Sequence, residues 1–345
     1  MTTPFTTTRR TLLGGAAAAG ALLARPALAQ RKDAVRFSCD FRIYGGTAPF
    51  FYGASKGIFR EYGIDAQVDG SGGSGDSVTR VASGAYEFGC ADTSTLVEFT
   101  YRNPVAAPKS ILPIYDRFAA AIMSIEPNAI TSLAGLSGRT LGTGASDAPS
   151  RILPALLRLN HIDPATINIQ TVDVKLRDSL LLQRRVDAVV GFDYTTLFNL
   201  VGSGVKMEDT RQIYFTESGF DFIGQGLIVN PAVLQASPDL AKRMAQAVTR
   251  SWIESYKDPE AAIAAVAERE PLTDRAVELA RLRWVLDRLV MTPNAKANGF
   301  GTMNMDRLRH GVAIIADGFQ MTSPPTAEQV FDGRFIPDAS MRHIG

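Results

Sequence analysis

Hydrophobic and polar positions alternate with two periods along the chain from about residue 34 onward. Short apolar runs predict strands, and the amphipathic segments between them predict helices. Each apolar run leads into a short loop of small and polar residues and then into a helix. This order is typical of largely parallel sheets that are covered by helices, so the sequence predicts an α/β protein.

Three strand–loop–helix units fill the first part of the chain. A turn and a proline open the first helix, and glycines such as Gly63 and Gly84 end helices. The predicted strands cover residues 35–41, 64–68 and 86–90, and the helices that follow them cover residues 48–62, 76–83 and 94–102.

The pattern repeats after a connecting segment, residues 109–124, which predicts one or two strands that cross between lobes. Residues 222–230 predict the return crossing, and the chain beyond Pro231 is mainly helical. We therefore expect two doubly wound α/β lobes joined by a two-strand hinge, with a helical C-terminal segment. The first lobe comprises residues 30–118 and 228–345, and the second comprises residues 119–227.

The N-terminus has the order of a signal peptide. The pair Arg9-Arg10 precedes an uncharged Gly/Ala/Leu stretch, and Ala27-Leu28-Ala29 forms a small-residue cleavage pattern. The paired arginines resemble a twin-arginine export signal, although a general secretory signal can also carry them. The alternative is a membrane anchor, but the apolar run is too short and too rich in Gly and Ala to span ~30 Å of hydrocarbon. We expect residues 1–29 to be removed on export.

Composition excludes one class of partner. The formal net charge is +1, and removal of the three arginines in residues 1–29 would change it to −2 (+1 minus 3). Nucleic-acid binding requires a concentrated basic surface, so it is not expected. The two cysteines, Cys39 and Cys90, allow two interpretations: buried apolar side chains, or a disulfide between neighbouring parallel strands.

Four segments, in order, resemble the family of proteins that bind thiamine precursors, nitrate, taurine and other sulfonates. They are residues 51–65, residues 81–89 (VASGAYEFG), residues 133–142 (LAGLSGRTLG) and residues 185–188 (RVDA). The resemblance implies the type II periplasmic-binding fold, with ligand held between the lobes. It further implies a soluble periplasmic, monomeric protein that delivers a small molecule to an ABC permease and its ATPase in the inner membrane.

Candidate ligand-binding residues follow from the fold, because the crevice of an open parallel sheet lies at the carboxyl ends of its strands. Helix N-termini there offer backbone N–H groups to an anion, each contributing ~0.3–1 kcal/mol, and an arginine could complete a clamp. Aromatic rings could stack on a flat ligand. The alternative for several of these residues is plain helix capping or core packing. The candidates are Asp40, Phe41, Arg42, Tyr44, Thr47, Ser71, Gly73, Ser74, Thr93, Ser94, Ser146, Asp147, Ser150, Arg151, Asp193 and Tyr194.

The first of these loops also bears on ligand class. In thiamine-pyrimidine binders the loop resembles D-W-x-P followed by a histidine, whereas residues 40–43 read Asp-Phe-Arg-Ile, with no histidine nearby. This departure argues against a pyrimidine. Arg42 favours an organic anion such as a sulfonate or an aromatic carboxylate.

No catalytic, cofactor or metal motif is evident. The glycine cluster over residues 70–75 matches neither a P-loop nor a dinucleotide fingerprint. His161, His310 and His343 are dispersed and lack metal-ligand or triad spacing. We expect a binding protein without catalytic residues, metal or cofactor. A periplasmic enzyme on the same fold, or the solute receptor of a non-ATP transporter or sensor, are the alternatives.

Overall fold

Two five-stranded mixed sheets form the framework of the protein in a computed structural model, which describes Met1, residues 32–145 and residues 147–344. All strands and helices of the described residues belong to the unit that begins at Asp33. Except for Met1, the predicted signal peptide lies outside the described residues, as does Ser146.

The first sheet has the strand order β2-β1-β3-β10-β4. Its strands are β1 (Asp33–Ser38), β2 (Ile64–Asp69), β3 (Phe88–Asp92), β4 (Lys109–Pro113) and β10 (Gln225–Val229). Strand β1 is parallel to β2 and β3, whereas β10 runs antiparallel to β3 and β4. The helices that follow its parallel strands are α1 (Ala48–Ser55), α2 (Ile58–Glu61), α3 (Ser74–Ala82) and α4 (Thr93–Arg102).

The second sheet repeats this arrangement with the order β7-β6-β8-β5-β9. Its strands are β5 (Ala120–Ile125), β6 (Thr140–Gly144), β7 (Asn168–Val172), β8 (Ala188–Phe192) and β9 (Thr210–Tyr214), and its helices are α5 (Ala148–Leu159), α6 (Val174–Leu182) and α7 (Asp193–Gly202). Strand β6 is parallel to β7 and β8, and β5 is antiparallel to β8 and β9. The predicted α/β architecture is confirmed.

The C-terminal segment is helical, as the sequence predicts. It contains α8 (Pro231–Ala236), α9 (Pro238–Lys257), α10 (Pro259–Arg269), α11 (Arg275–Val285), a π-helical turn (Leu286–Val290), α12 (Pro293–Asn298), α13 (Met305–Gly318), α14 (Ala327–Val330) and α15 (Ala339–Arg342). The buried Trp252 of α9 packs against the rings of Phe50, Tyr115 and Phe300. Among the described residues, no helix combines the length and apolar character needed to cross a bilayer.

Several predicted elements have different limits in the structure. The strand predicted over residues 86–90 is β3, Phe88–Asp92, and two other differences have a clear physical reason. The helix predicted over residues 48–62 is divided into α1 and α2, because Gly57 adopts a left-handed conformation with φ +75°. The first strand ends at Ser38 instead of residue 41, since its partner β2 ends at the paired position Asp69. The apolar pattern continues past the strand because Phe41 and Ile43 pack on the core from a loop.

Cys39 and Cys90 are both buried as free thiols. Burial raises the pKa of each thiol well above its usual value. The structure therefore agrees with the interpretation of the two cysteines as small apolar side chains, and a disulfide is absent from it.

Candidate functional site

The carboxyl-end loops of the two sheets meet at a cluster of buried polar side chains, here called the interlobe site. Its members are Asp40, Tyr44, Asp92, Asp147, Tyr194 and Gln225. Gln225 of β10 joins the two halves, because its amide nitrogen donates to the Asp40 carboxylate and, at 2.7 Å, to the Tyr194 hydroxyl. The rings of Tyr194 and Tyr115 pack edge to face with centroids 5.6 Å apart.

Asp92 is the N-cap residue of α4, and within the described part of the chain one of its two carboxylate oxygens has hydrogen-bond partners. The backbone N–H and the hydroxyl of Ser94 both donate to Oδ1. The other oxygen, Oδ2, is buried and accepts no hydrogen bond from the described residues. The hydroxyl of Thr95, in the first turn of α4, is also buried without a hydrogen-bond partner in that part of the chain.

In the second lobe, a buried arginine holds the loop that precedes α5. Arg177 lies 3.2 Å from Asp147 and 3.0 Å from Asp178, and it donates to the Thr196 hydroxyl at 2.7 Å. The Ser150 hydroxyl donates to Asp147 Oδ2 at 2.9 Å. Asp147 is therefore fixed by its own lobe at the edge that faces the first lobe.

The two arginines expected to clamp an anion are engaged by other protein groups. Arg42 donates to Asn199 Oδ1 across the lobes at 2.8 Å. Arg151 donates through two nitrogens to Glu98 Oε2, at 3.0 and 2.8 Å. Arg42 and Glu98 belong to the first lobe, whereas Asn199 and Arg151 belong to the second. Both contacts therefore bridge the lobes.

Several other candidate residues make hydrogen bonds to protein groups near the interlobe site. The amide N–H of Asp92 donates to the Ser74 hydroxyl at 3.0 Å, and the Thr93 hydroxyl donates to the carbonyl of Gly224 at 2.6 Å. The Thr47 hydroxyl accepts from the backbone of Tyr44 at 3.2 Å. The Thr47 contact has the form of a helix-start cap, whereas Ser74 and Thr93 bond to residues distant in the sequence and do not cap their own helices. Ligand contact by these residues stays a prediction.

The remaining candidates are placed as follows. Phe41 packs its half-buried ring edge-on against Tyr44, with centroids 5.7 Å apart. The Ser71 hydroxyl lies 3.2 Å from the carbonyl of Gly73, which precedes α3 with φ +140°. The structure does not bring the carboxylate of Asp193 to the interlobe site: it accepts from Tyr214 at 3.1 Å and from Trp284 at 3.0 Å.

A second buried arginine attaches α11 to both lobes. Arg281 donates to the carbonyls of Tyr194 at 2.6 Å and Thr195 at 2.9 Å, and it pairs with Glu278 at 2.7 Å. Glu278 in turn accepts from the backbone N–H of Gly45 in the first lobe at 2.6 Å. Helix α11 therefore connects the β1–α1 loop to the N-terminus of α7.

The site is acidic. Burial raises the pKa of Asp40 and of Asp92 to about 7, and the Asp92 carboxyl is influenced further by Asp40 and Asp147. Burial also raises the pKa of Asp147, although the Arg177 guanidinium opposes that shift. Within residues 32–145 and 147–344, no arginine or lysine forms an ion pair with Asp40 or Asp92. No three His, Cys, Asp or Glu side chains in those ranges are grouped to hold a metal ion.

Sequence reasoning missed the central members of this arrangement. Gln225 lies in a strand that the pattern predicts only as a return crossing, and Asp92 looks like an ordinary N-cap residue. Arg177 and Arg281 lie in helices whose charged residues are typical of a solvated surface. Local sequence carries no sign that these four side chains are buried.

Ionisation of the buried Asp92 carboxyl should lower the free energy of unfolding, so the stability of the protein should depend on pH. An acid whose pKa rises on folding from 3.8 to about 7 binds its proton more tightly in the folded state. Stability is therefore lost as pH rises from the unfolded to the folded pKa. We expect Asp92→Asn to raise the free energy of unfolding at pH 8 by ~1–2 kcal/mol, and by much less at pH 5.

Urea unfolding of the ligand-free protein at the two pH values measures this difference. Asp332→Asn is the control, because that carboxylate is paired with Arg334 and its pKa is lowered. A stabilisation of Asp92→Asn that is equal at pH 5 and pH 8 would contradict the prediction.

Comparison with known proteins agrees with this fold. The chain is 23% identical over 332 residues to RibY, a riboflavin-binding protein of Chloroflexus aurantiacus. The alignment covers 94% of this chain and 90% of that protein. The alkanesulfonate-binding protein SsuA of Xanthomonas axonopodis, solved with MOPS bound, superposes with a TM-score of 0.67 at 12% identity, covering 87% of this chain and 99% of that one. A ligand-binding component of an ABC-type import system from Staphylococcus aureus superposes with a TM-score of 0.66 at 11% identity, covering 90% and 100%.

The two mixed sheets and their flanking helices therefore have the fold of periplasmic binding proteins. The NMT1/THI5-like family model matches residues 46–262, more than half of the chain. The chain belongs to the NMT1/THI5-like family.

Proposed function

We propose that this protein is the extracytoplasmic solute-binding component of an ABC importer and that it captures a small organic ligand between its lobes by hinge closure. The observation that carries the proposal is Gln225, which hydrogen-bonds to groups of both lobes at the interlobe site. A ligand that touches both lobes favours the state in which they are in contact, so binding energy shifts a population.

The expected route and partners form part of this proposal. Residues 1–29 would direct export, with the twin-arginine route favoured by Arg9-Arg10, and the mature protein would be a soluble periplasmic monomer. Its partners would be a permease and an ATPase, as the name of the Staphylococcus aureus neighbour supports. The lobes would comprise residues 30–118 with 228–345, and residues 119–227, a boundary that falls within β10 of the first sheet.

Two ligand classes have support from relatives. RibY is named for riboflavin, and the Xanthomonas protein is named for alkanesulfonates, the class expected from Arg42. The hydrogen bond from Arg42 to Asn199 reduces the support for the anion, because a guanidinium that already bridges the lobes has fewer donors left for a ligand.

The proposal is tested with refolded protein from which any co-purified compound has been removed. We expect the compound released on unfolding to rebind with one molecule per chain. At a hundredfold excess over its Kd, the ligand should stabilise the protein by ~2.7 kcal/mol. Small-angle scattering should show a smaller radius of gyration with ligand than without it.

Chromatography of the bound compound after prolonged incubation separates transport from catalysis. Unchanged compound supports a binding protein, whereas steady conversion would support the alternative of an enzyme on this fold. Failure of every released or added compound to bind would refute the proposed function.

A further inference from the structure

An unused acceptor lies at the centre of the interlobe site. Asp92 is fully buried, and its Oδ2 accepts no hydrogen bond from the described residues. One turn into α4, the Thr95 hydroxyl is buried and equally without a partner there. Each buried polar atom that remains unsatisfied costs ~1–3 kcal/mol, so such groups mark places where another molecule can supply the missing hydrogen bond.

The charge around this acceptor is negative. Asp40 and Asp147 are close enough to Asp92 to raise the pKa of its carboxyl. Two arginines of the second lobe are committed to other carboxylates: Arg177 lies between Asp147 and Asp178, and Arg151 pairs with Glu98. An anionic group placed beside Asp92 would add like charge to a buried carboxylate with which no described arginine or lysine forms an ion pair.

We propose that the ligand presents a hydrogen-bond donor to Asp92 Oδ2, as an ammonium, an amidinium or an N–H of a heterocycle. An ionised carboxylate can only accept, so its partner must be a donor. Hydrogen bonds to a charged acceptor are about twice as strong as those between neutral groups. This inference rests on the proposed function and specifies the chemistry of its ligand.

The competing occupant is an anion held by a protonated Asp92. A donor ligand and an anion differ in their response to Asp92→Asn, a substitution that preserves the size and shape of the side chain. The amide nitrogen of asparagine can replace a protonated carboxyl as donor, so an anion would keep its affinity. A donor ligand would lose a charged acceptor and meet a competing N–H₂ group.

The experiment measures calorimetric binding at pH 8 to the refolded mature chain. The donor probes are benzamidine, 2-aminopyrimidine and riboflavin, and the anion probes are benzoate and benzenesulfonate. We expect at least one donor probe to bind more tightly than both anions, and Asp92→Asn to weaken its binding at least tenfold. The variant should remain folded, because removal of the buried charge stabilises the unliganded protein.

A matched pair of variants tests Thr95. Thr95→Val and Thr249→Val each remove a buried hydroxyl without a partner among the described residues, but Thr249 lies in α9. We expect weaker binding of the donor probe in Thr95→Val only. Tighter binding of an anion probe, or unchanged donor affinity in Asp92→Asn, would overturn the inference while leaving the proposed function intact. If none of the probes binds, the co-purified ligand is identified instead. A co-purified ligand that has no hydrogen-bond donor group would also overturn the inference.

Discussion

Replacement of Arg281 by methionine is expected to lower the free energy of unfolding by ~3–5 kcal/mol, as is typical when one partner of a buried ion pair is removed. The guanidinium is 1% exposed and satisfies Glu278 together with the carbonyls of Tyr194 and Thr195. Methionine fills much of the volume but donates no hydrogen bond. The variant would leave the buried Glu278 Oε1 without its donor and would remove the second hydrogen bond from two carbonyls that also accept within α7.

Chemical unfolding monitored by circular dichroism measures this loss. Arg283→Met is the matched control, because Arg283 lies in the same helix and its pair with Glu260 is exposed on both sides. Exposed pairs contribute ~0–1 kcal/mol, so the control should unfold almost as the wild type does. A loss below 1 kcal/mol in Arg281→Met would show that α11 is not held by this residue.

Replacement of Arg177 by methionine is the second change with a large expected effect, again ~3–5 kcal/mol. Arg177 is 1% exposed, and it balances the buried carboxylates of Asp147 and Asp178. Without it, two neighbouring buried acids would lack a compensating cation, and Asp147, the N-cap residue of α5, would lose its ion pair. Ligand affinity should fall together with stability, because Asp147 belongs to the interlobe site.

Two further variants separate charge balance from simple packing. Adding Asp178→Asn to Arg177→Met should recover part of the lost stability, since it removes one uncompensated charge. Arg139→Met, in the same lobe, breaks only the partly exposed pair with Asp187 and should cost ~0–1 kcal/mol. If the double variant were less stable than Arg177→Met alone, charge balance would not be the role of Arg177.

Most of the fold can be predicted from the sequence because its signals are local. Apolar runs predict strands over residues 64–68, 139–142 and 187–191, within two residues of the limits of β2, β6 and β8, and Ser237-Pro238 predicts the start of α9. The prediction errors occur where contacts with distant parts of the chain, or a single backbone conformation, determine the end of a strand or helix. Strand β1 ends where its partner ends, and a glycine in a left-handed conformation divides a helix that periodicity alone would continue.

The candidate site is only partly predictable, since residues far apart in the chain determine its chemistry. Arg42 looks like a free cation until Asn199, 157 positions later, accepts its hydrogen bond. Arg151 likewise finds Glu98, 53 positions earlier. The lack of a partner at Asp92 Oδ2 depends on everything packed around it, so no local motif could signal it.

The order of strands in the first sheet has a consequence for biosynthesis. Strand β3 pairs on one side with β10, which is encoded after the entire second sheet. While the ribosome is still adding residues 93–224, the backbone N–H and C=O groups along that side of β3 lack their native partner strand. Open strand edges promote misassembly. A cellular factor that shields the nascent first half until residue 229 has emerged should therefore raise the yield of native protein.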